Sequence, residues 1–361
     1  MSLLSSSVLA VLLATSVSPA WQLEVDPWVF EQTREGAQTE FLVVLDKQAD
    51  LSAAESLPRL ERRRFVFETL RATAAASQGP VLAMLADRGL EHRSYWISNM
   101  IWVRGSLADV EALAQREDVA KISANPWVKA DLPDAPDPQL GACPPPATEA
   151  SLLHIDADVF WDAGFEGEGV VIGGQDTGYD WDHPALRDSY RGWNGAAADH
   201  NYHWWDAIHS GGGSCGADST EPCDDGSHGT HTMGTMVGDD GTRRVGMAPK
   251  AKWIGCRNMN QGFGTPTTYA ECFQFFIAPT DLSGQNPDPS MGPDVINNSW
   301  GCPGFEGCTD PNVLRTVVEN TRAAGIVVVV SAGNGGSGCG SVNTPAAIYD
   351  ASFSVGNTNL S

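Results

Sequence analysis

Residues 326–330 are five consecutive β-branched residues, Ile-Val-Val-Val-Val, and this run limits the possible folds of the 361-residue chain more than any other feature. A strand without polar positions is typical of a parallel sheet that is covered on both faces. Residues 170–174, Val-Val-Ile-Gly-Gly, form a second apolar strand, and the sequence between the two alternates short apolar runs with segments of helical periodicity. This alternation predicts an α/β fold with a doubly wound parallel sheet.

Chemically useful side chains follow both apolar strands. Asp176 comes directly after the first, and Asn334 comes shortly after the second. In doubly wound sheets the functional groups lie at the carboxyl ends of the strands. A further block, residues 224–235, places His228 among small residues where a loop enters a helix. Because an imidazole can take the proton of a serine hydroxyl and needs a carboxylate to orient it, Asp176 and His228 are candidate catalytic residues of a serine peptidase.

Other interpretations of these residues explain less of the sequence. Asp176-Thr177-Gly178 is also typical of aspartic peptidases, but these enzymes use two carboxylates that share a proton, and no second Asp-Thr-Gly occurs. An isolated Asp after a strand, or an Asn before glycines, is often only a turn former. His231, one helical turn after His228, is expected to serve packing. The order of the three blocks favours the peptidase.

The order Asp176, His228, Asn334, together with the run His-Gly-Thr-His-Thr-Met-Gly-Thr at 228–235 and Asn-Asn-Ser-Trp-Gly at 297–301, resembles the subtilisin-like (subtilase) serine peptidases, in particular their bacillopeptidase F branch. The resemblance implies that hydrolysis of protein or peptide substrates requires no cofactor and no catalytic metal. It implies that Asn334 is the oxyanion donor. It also implies substrate-binding residues, which are Ser299, Trp300 and Gly301.

The nucleophile of this family lies in a Gly-Thr-Ser-Met-Ala type run, which this sequence does not contain. We therefore expect the serine of the Asp-His-Ser triad to lie beyond Ser361, in a chain truncated at its C-terminus, and the polypeptide by itself to be inactive. Two alternatives remain if the natural gene ends at Ser361. They are a non-catalytic peptide-binding pseudoenzyme and a protease inhibitor that acts through its N-terminal domain.

The N-terminal half predicts a separate domain. Residues 1–20 contain an apolar stretch that ends in Ser-Pro-Ala, which predicts a signal peptide. Residues 39–130 follow a β-α-β-β-α-β pattern, with strands at 41–45, 94–97, 101–103 and 119–122, which is a small ferredoxin-like α+β order. By resemblance this is the inhibitor and chaperone prodomain of the I9 type, the chain's own partner. Residues 131–149, rich in proline and aspartate, predict the linker and maturation region, and 150–361 the incomplete peptidase domain.

Charge and cysteine content limit the partners and the compartment. The formal net charge of −23 argues against nucleic acids and anionic membranes as partners. All eight cysteines lie at or after Cys143, without the Cys-x-x-Cys pairs of zinc sites, which predicts disulfides in an extracellular, secreted protein. Their spacing suggests two local pairs, Cys215–Cys223 and Cys302–Cys308. The pairing of the other four cysteines stays open. Structural Ca²⁺ occurs in the family, and the candidate ligands are Asp224, Asp225, Asp239 and Asp240.

Overall fold

The computed structural model describes residues 20–130 and 147–357. The expected signal peptide, apart from residue 20, lies outside the described residues, and so do residues 131–146 of the expected linker and residues 358–361. Within the two described ranges, no helix is long and apolar enough to cross a membrane.

The N-terminal part is built around an antiparallel sheet with strand order β2-β3-β1-β4. The predicted element order is observed, with the first long helix divided where Pro80 begins a new helix, because proline lacks the N–H that a helix interior requires. The elements are α1 (Pro27–Gln32), β1 (Thr39–Leu45), α2 (Arg59–Ser77), α3 (Gly79–Asp87), β2 (Glu91–Tyr95), β3 (Met100–Gly105), α4 (Leu107–Ala114), β4 (Val119–Ala124) and β5 (Val128–Lys129).

The predicted position of the second strand was wrong by a few residues. The sequence placed it at 94–97, whereas the structure has β2 at Glu91–Tyr95 and uses residues 96–99 as the turn to β3. Asn99 closes this turn with a φ of 45°. Asn adopts this left-handed conformation more readily than most residues because its short polar side chain can bond locally.

The downstream part contains a six-stranded parallel sheet with strand order β13-β12-β11-β6-β8-β7, flanked by helices. The predicted α/β fold is confirmed. The elements are α5 (Ala150–His154), α6 (Ala157–Asp162), β6 (Val171–Asp176), β7 (Trp204–Asp206), α7 (His228–Val237), β8 (Lys252–Arg257), β9 (Met259–Asn260), β10 (Phe263–Gly264), α8 (Pro266–Ile277), β11 (Val295–Asn298), α9 (Arg315–Ala323), β12 (Val327–Ser331) and β13 (Phe353–Val355).

Strand β6 lies in the middle of the parallel sheet, between β11 and β8. The chain adds β7 and β8 on one side of β6 and later β11, β12 and β13 on the other, so the strand order reverses beside β6. Asp176 at the end of β6 is in register with Arg257 at the end of β8. The crevice at such a reversal is where doubly wound folds place their functional sites.

The N-terminal sheet is buried on both faces. Phe41 and Val43 of β1 pack in a core with α1, α3 and α4. The intervening Leu42 belongs to a second apolar cluster, which also contains Phe67 of α2 and Phe273 of α8. Since that second cluster includes residues of both parts, the two pack directly against each other.

Three disulfides connect cysteines of the downstream part. Cys215–Cys223 and Cys302–Cys308 are the two local pairs that their spacing had suggested. A third, Cys256–Cys272, joins β8 to α8 across 16 residues of sequence. Cys339 is an exposed free thiol, and Cys143 lies outside the described residues.

Candidate active site

The carboxyl end of β6 places the Asp176 carboxylate inside the protein. Asp176 is fully buried, and its Oδ1 accepts a hydrogen bond from the backbone N–H of Thr177 at 2.7 Å. The chain then turns at Gly178, with a φ of 115°. A Cβ at this position would lie 1.8 Å from the carbonyl oxygen of Cys223, so only glycine lets the two backbones approach this closely.

The carboxylate of Asp224 fixes the loop that leads into α7. Its Oδ1 accepts hydrogen bonds from the backbone N–H groups of Gly226 and Ser227 at 3.0 and 2.8 Å and from the Thr177 hydroxyl at 2.7 Å. Its Oδ2 accepts from the N–H and the hydroxyl of Thr230 at 2.9 and 2.6 Å. A carboxylate is also electrostatically favourable at a helix N-terminus. The backbone on both sides of residue 228 is therefore held by one side chain.

The hydroxyl of Thr177 links this loop to β6. It donates to Asp224 Oδ1 and accepts a hydrogen bond at 3.0 Å from the backbone N–H of Gly229, in the first turn of α7. Thr177 and its bond to Gly229 are fully buried, whereas the bond to the half-buried Asp224 is only partly shielded from water. Thr177, next to Asp176, thus positions Gly229, next to His228.

The structure brings His228 and Asp176 into contact, with 2.7 Å between Nδ1 of the imidazole and Oδ1 of the carboxylate. An ionised carboxylate only accepts hydrogen bonds, so Nδ1 carries the proton and Nε2 keeps its lone pair. Burial lowers the pKa of His228, but the hydrogen bond and charge of Asp176 more than offset this and raise it above its ordinary value. Burial raises the pKa of Asp176, and the imidazole only partly counteracts this rise.

Buried amide side chains connect the strand ends beside this pair. Asn258, which follows β8, donates from Nδ2 to Gln175 Oε1 in β6 at 2.9 Å. Gln175 donates from Nε2 to Asn298 Oδ1 in β11 at 2.6 Å, and Asn298 donates to the carbonyl oxygen of Val329 in β12 at 2.7 Å. All three amides are fully buried. This amide ladder aligns the carboxyl ends of four neighbouring strands.

A buried arginine fixes the other side of the loop before α7. Arg257, at the end of β8, is fully buried, with Nη2 2.9 Å from Asp225 Oδ2 and Nη1 3.2 Å from Asp206 Oδ2. Burial raises the pKa of Asp206 to about 6, although the positive charge of Arg257 acts in the opposite direction. Asp225, next to Asp224, is thereby tied to the sheet.

The other residues predicted for the site lie after β11 and β12. Asn334 is exposed on the loop that follows β12, three residues beyond Ser331. Ser299 and Gly301 are half-buried, and Ser299 accepts a hydrogen bond from the Asn297 side chain at 2.9 Å. The side chain of Trp300 is only 4% exposed and stacks on Tyr269, with ring centroids 3.9 Å apart. The side chain of Trp300 therefore packs in the interior.

A short strand from the N-terminal part pairs with the segment that follows β8. Strand β5 runs antiparallel to β10, with Lys129 opposite Phe263 and Val128 opposite Gly264. The N–H of Ala130 continues the pairing with a 2.7 Å bond to the carbonyl oxygen of Gly262. This is the geometry by which an extended peptide adds a strand to a sheet edge.

The acidic residues considered as Ca²⁺ ligands are bonded to other groups. Asp224 and Asp225 make the contacts described above, Asp240 pairs with Arg243 at 2.9 Å, and Asp239 pairs with Arg244 at 3.2 Å. In residues 20–130 and 147–357, no three His, Cys, Asp or Glu side chains are grouped as a metal site. Each of these four carboxylates is engaged by donors of the protein itself.

Sequence reasoning missed the positioning role of two residues. Asp224 was considered only as a metal ligand, and Thr177 was not singled out. One signal was available for Asp224, because an Asp followed two and three residues later by Gly and Ser is typical of a side chain that bonds to its own loop. No local signal could reveal its bond to Thr177, which lies 47 residues earlier.

Residues 167–360 match the Subtilase family. Bacillopeptidase F of Bacillus subtilis (strain 168) is 36% identical over 334 residues, which cover 87% of this chain and 22% of that protein. Subtilisin DY of Bacillus licheniformis is 33% identical over 206 residues, which cover 56% of this chain and 61% of that protein. The chain spans only about a quarter of the length of bacillopeptidase F and of the minor extracellular protease Vpr of Bacillus subtilis (strain 168).

The fold is also similar to that of solved proteases. A crystal structure of a mutant epidermin leader peptide processing serine protease from Staphylococcus aureus matches with a TM-score of 0.55 and 13% identity, covering 83% of this chain and 62% of that chain. At this identity the likeness shows the fold alone. The family match covers more than half of the chain and includes Asp176, His228 and Asn334. The chain belongs to the subtilase family, the subtilisin-like serine peptidases.

Proposed function

We propose that this chain is the precursor part of a secreted serine endopeptidase in which Asp176 and His228 are catalytic residues. The observation that carries the proposal is the 2.7 Å contact between the His228 imidazole and the fully buried Asp176 carboxylate. Both residues lie inside the segment that matches the Subtilase family. A histidine whose Nδ1–H is held by a carboxylate presents Nε2 as a base.

In the proposed reaction, Nε2 of His228 takes the proton of a serine hydroxyl as the serine oxygen bonds to the scissile carbonyl carbon. The Asp176 carboxylate stabilises the imidazolium that forms, and the imidazolium then gives its proton to the leaving amine. The Asn334 amide donates to the oxygen that becomes negative. We propose that the serine belongs to sequence that follows Ser361 in the full protein.

We further propose that the N-terminal part is an inhibitory prodomain whose last residues occupy the substrate cleft. The pairing of β5 with β10 supports this, because an extended substrate would use the same backbone groups. Residues 299–301 are the proposed opposite wall, and they contribute through their backbone, since the Trp300 side chain is buried. The protein would then act on peptide substrates and on its own linker at residues 131–149.

Secretion is supported by the three disulfides of the downstream part and by the signal-peptide pattern of residues 1–20. The strongly negative net charge gives no support to nucleic acid or anionic membrane as a partner.

The test uses the full reading frame, expressed with the sequence downstream of Ser361, and a fluorophosphonate probe that labels only activated serines. Labelling is expected in the parent protein and is expected to be lost in His228→Ala. His231→Ala is the matched control, because His231 lies one turn away on the same helix and is exposed, contrary to the packing role expected from the sequence. Labelling that persists in His228→Ala would contradict the assigned base, and no labelling of the parent after its N-terminal part has been removed would contradict the enzyme.

A further inference from the structure

Helix α2 of the N-terminal part carries an arginine that bonds to the end of a downstream helix. Arg62 donates from Nε to the carbonyl oxygen of Ala323 at 2.6 Å and from Nη2 to that of Arg322 at 3.0 Å. These carbonyls belong to the last turn of α9, whose oxygens carry partial negative charge, and that of Arg322 also accepts a hydrogen bond from the Gly325 N–H at 2.9 Å. A guanidinium at this point is both a hydrogen-bond donor and a favourable charge.

The next residue, Arg63, enters a cleft on the same side of the downstream part. Its side chain is only 3% exposed, and it donates to the carbonyl oxygens of Pro293 at 2.5 Å and Pro289 at 3.5 Å. A Cβ on Gly292 would lie 2.6 Å from Nη1 of Arg63, so the missing side chain leaves the room that the guanidinium occupies. Burial lowers the pKa of Arg63 to about 10, which leaves it charged at neutral pH.

Two further arginines contact the same segment. Arg59, at the start of α2, forms an ion pair with Asp294. Arg191, which belongs to the downstream part itself, donates to the carbonyl oxygen of Met291 at 2.6 Å. The segment 289–294 therefore presents its backbone oxygens and one carboxylate to guanidinium groups.

We propose that residues 289–294 and the last turn of α9 form a binding site for guanidinium groups, the arginine site, whose ligand is the Arg62–Arg63 pair of α2. Each guanidinium bonds to two carbonyl oxygens, a geometry that suits its planar set of N–H donors and that a single ammonium group cannot reproduce. The arginine site is a second anchor for the N-terminal part, separate from the pairing of β5 with β10. It deepens the proposed function by stating how the prodomain is held, but it does not depend on peptidase activity.

The test uses the whole chain with a recognition sequence for a site-specific protease inserted between residues 138 and 139, outside the described residues. The chain is folded, cut, and diluted in steps, and size-exclusion chromatography follows the separation of the two halves. Arg62→Ala and Arg63→Ala are compared with Arg64→Ala, which removes the same charge from an exposed position of the same helix. If an alanine variant does not fold before cutting, the corresponding lysine variant, which keeps the charge and the aliphatic stem, replaces it.

Arg62→Ala and Arg63→Ala are each expected to raise the dissociation constant of the halves by about tenfold or more, the effect of losing hydrogen bonds to a charged donor. Arg64→Ala is expected to leave the constant within about twofold of the parent, as for most exposed substitutions. Dissociation of all four proteins at the same concentration would overturn the proposal. An equal weakening by Arg64→Ala would also overturn it, because net charge and not the arginine site would then be responsible.

Discussion

Replacing Thr177 by Val tests how the Asp176–His228 pair is positioned. Valine has nearly the same shape as threonine and favours an extended backbone, so the change removes the hydroxyl and little else. The lost hydroxyl has two partners, the Asp224 carboxylate at 2.7 Å and the Gly229 N–H at 3.0 Å. Thr177 is fully buried; its bond to Gly229 lies in the interior, and its bond to Asp224 is partly buried.

The expected loss follows from these two partners. A hydrogen bond to a charged group contributes about 1.5–3 kcal/mol, and a buried N–H left without a partner costs about 1–3 kcal/mol. Asp224 keeps four other donors, which reduces the first contribution. Thr177→Val is therefore expected to lower the free energy of unfolding by about 2–4 kcal/mol.

The measurement is urea-induced unfolding followed by tryptophan fluorescence. Thr235→Val is the matched control, because Thr235 is exposed on α7 and its hydroxyl bonds only to the carbonyl oxygen of His231 at 3.2 Å, one turn earlier. The control is expected to change the free energy of unfolding by less than about 0.5 kcal/mol. If Thr177→Val lost less than about 1 kcal/mol, the hydroxyl would not hold the loop and the reasoning would be refuted.

Two further predictions concern pH and catalysis. His209 bonds to Glu271 at 2.8 Å and to Asp218, and these bonds outweigh burial and raise the pKa of His209. The bond and charge of His209, with the charge of Arg93, outweigh burial of Glu271 and lower the pKa of its carboxyl. The stability that this pair contributes is thus greatest between pH 4.5 and 6.5. It falls above pH 6.5 as His209 loses its proton and below pH 4.5 as Glu271 gains one. If the free energy of unfolding of His209→Gln fell with rising pH as steeply as that of the parent, the prediction would be contradicted. In the full-length enzyme, Asn334→Ala is expected to lower kcat by about 10²–10³ with little change in KM, a magnitude taken from a subtilisin that lost such a donor. An unchanged kcat with a lower melting temperature would leave Asn334 only a turn residue.

The sequence predicted those parts of the fold that have strong local patterns. The apolar runs at 170–174 and 326–330 correspond to β6 and β12, which the structure places in one parallel sheet. Strands β7 and β13 were missed because each has three residues, too few to show a periodicity. Trp204 of β7 packs against Tyr179, with ring centroids 6.4 Å apart, so its position depends on tertiary contacts.

The sequence located candidate site residues where a motif adjoins a regular element. Asp176 ends a strand and His228 begins a helix, and their contact is consistent with that placement. Asp224 and Thr177 could not be assigned in the same way, because their bond joins loops that are distant in sequence. The Cys256–Cys272 pairing could not be predicted for the same reason, because the packing of α8 on β8 brings those sulfurs together.

The amide ladder has a consequence for folding specificity. Strands of valine and isoleucine can pair in several alignments at similar energy, so apolar packing alone discriminates poorly among them. Slipping β11 by one residue against β6 would turn the Asn298 side chain to the opposite face and leave the Gln175 amide without its acceptor. Each such orphaned amide costs about 1–3 kcal/mol in the interior. The polar side chains beside the Asp176–His228 pair therefore penalise misaligned sheets during assembly, a selectivity that the hydrophobic strands cannot supply.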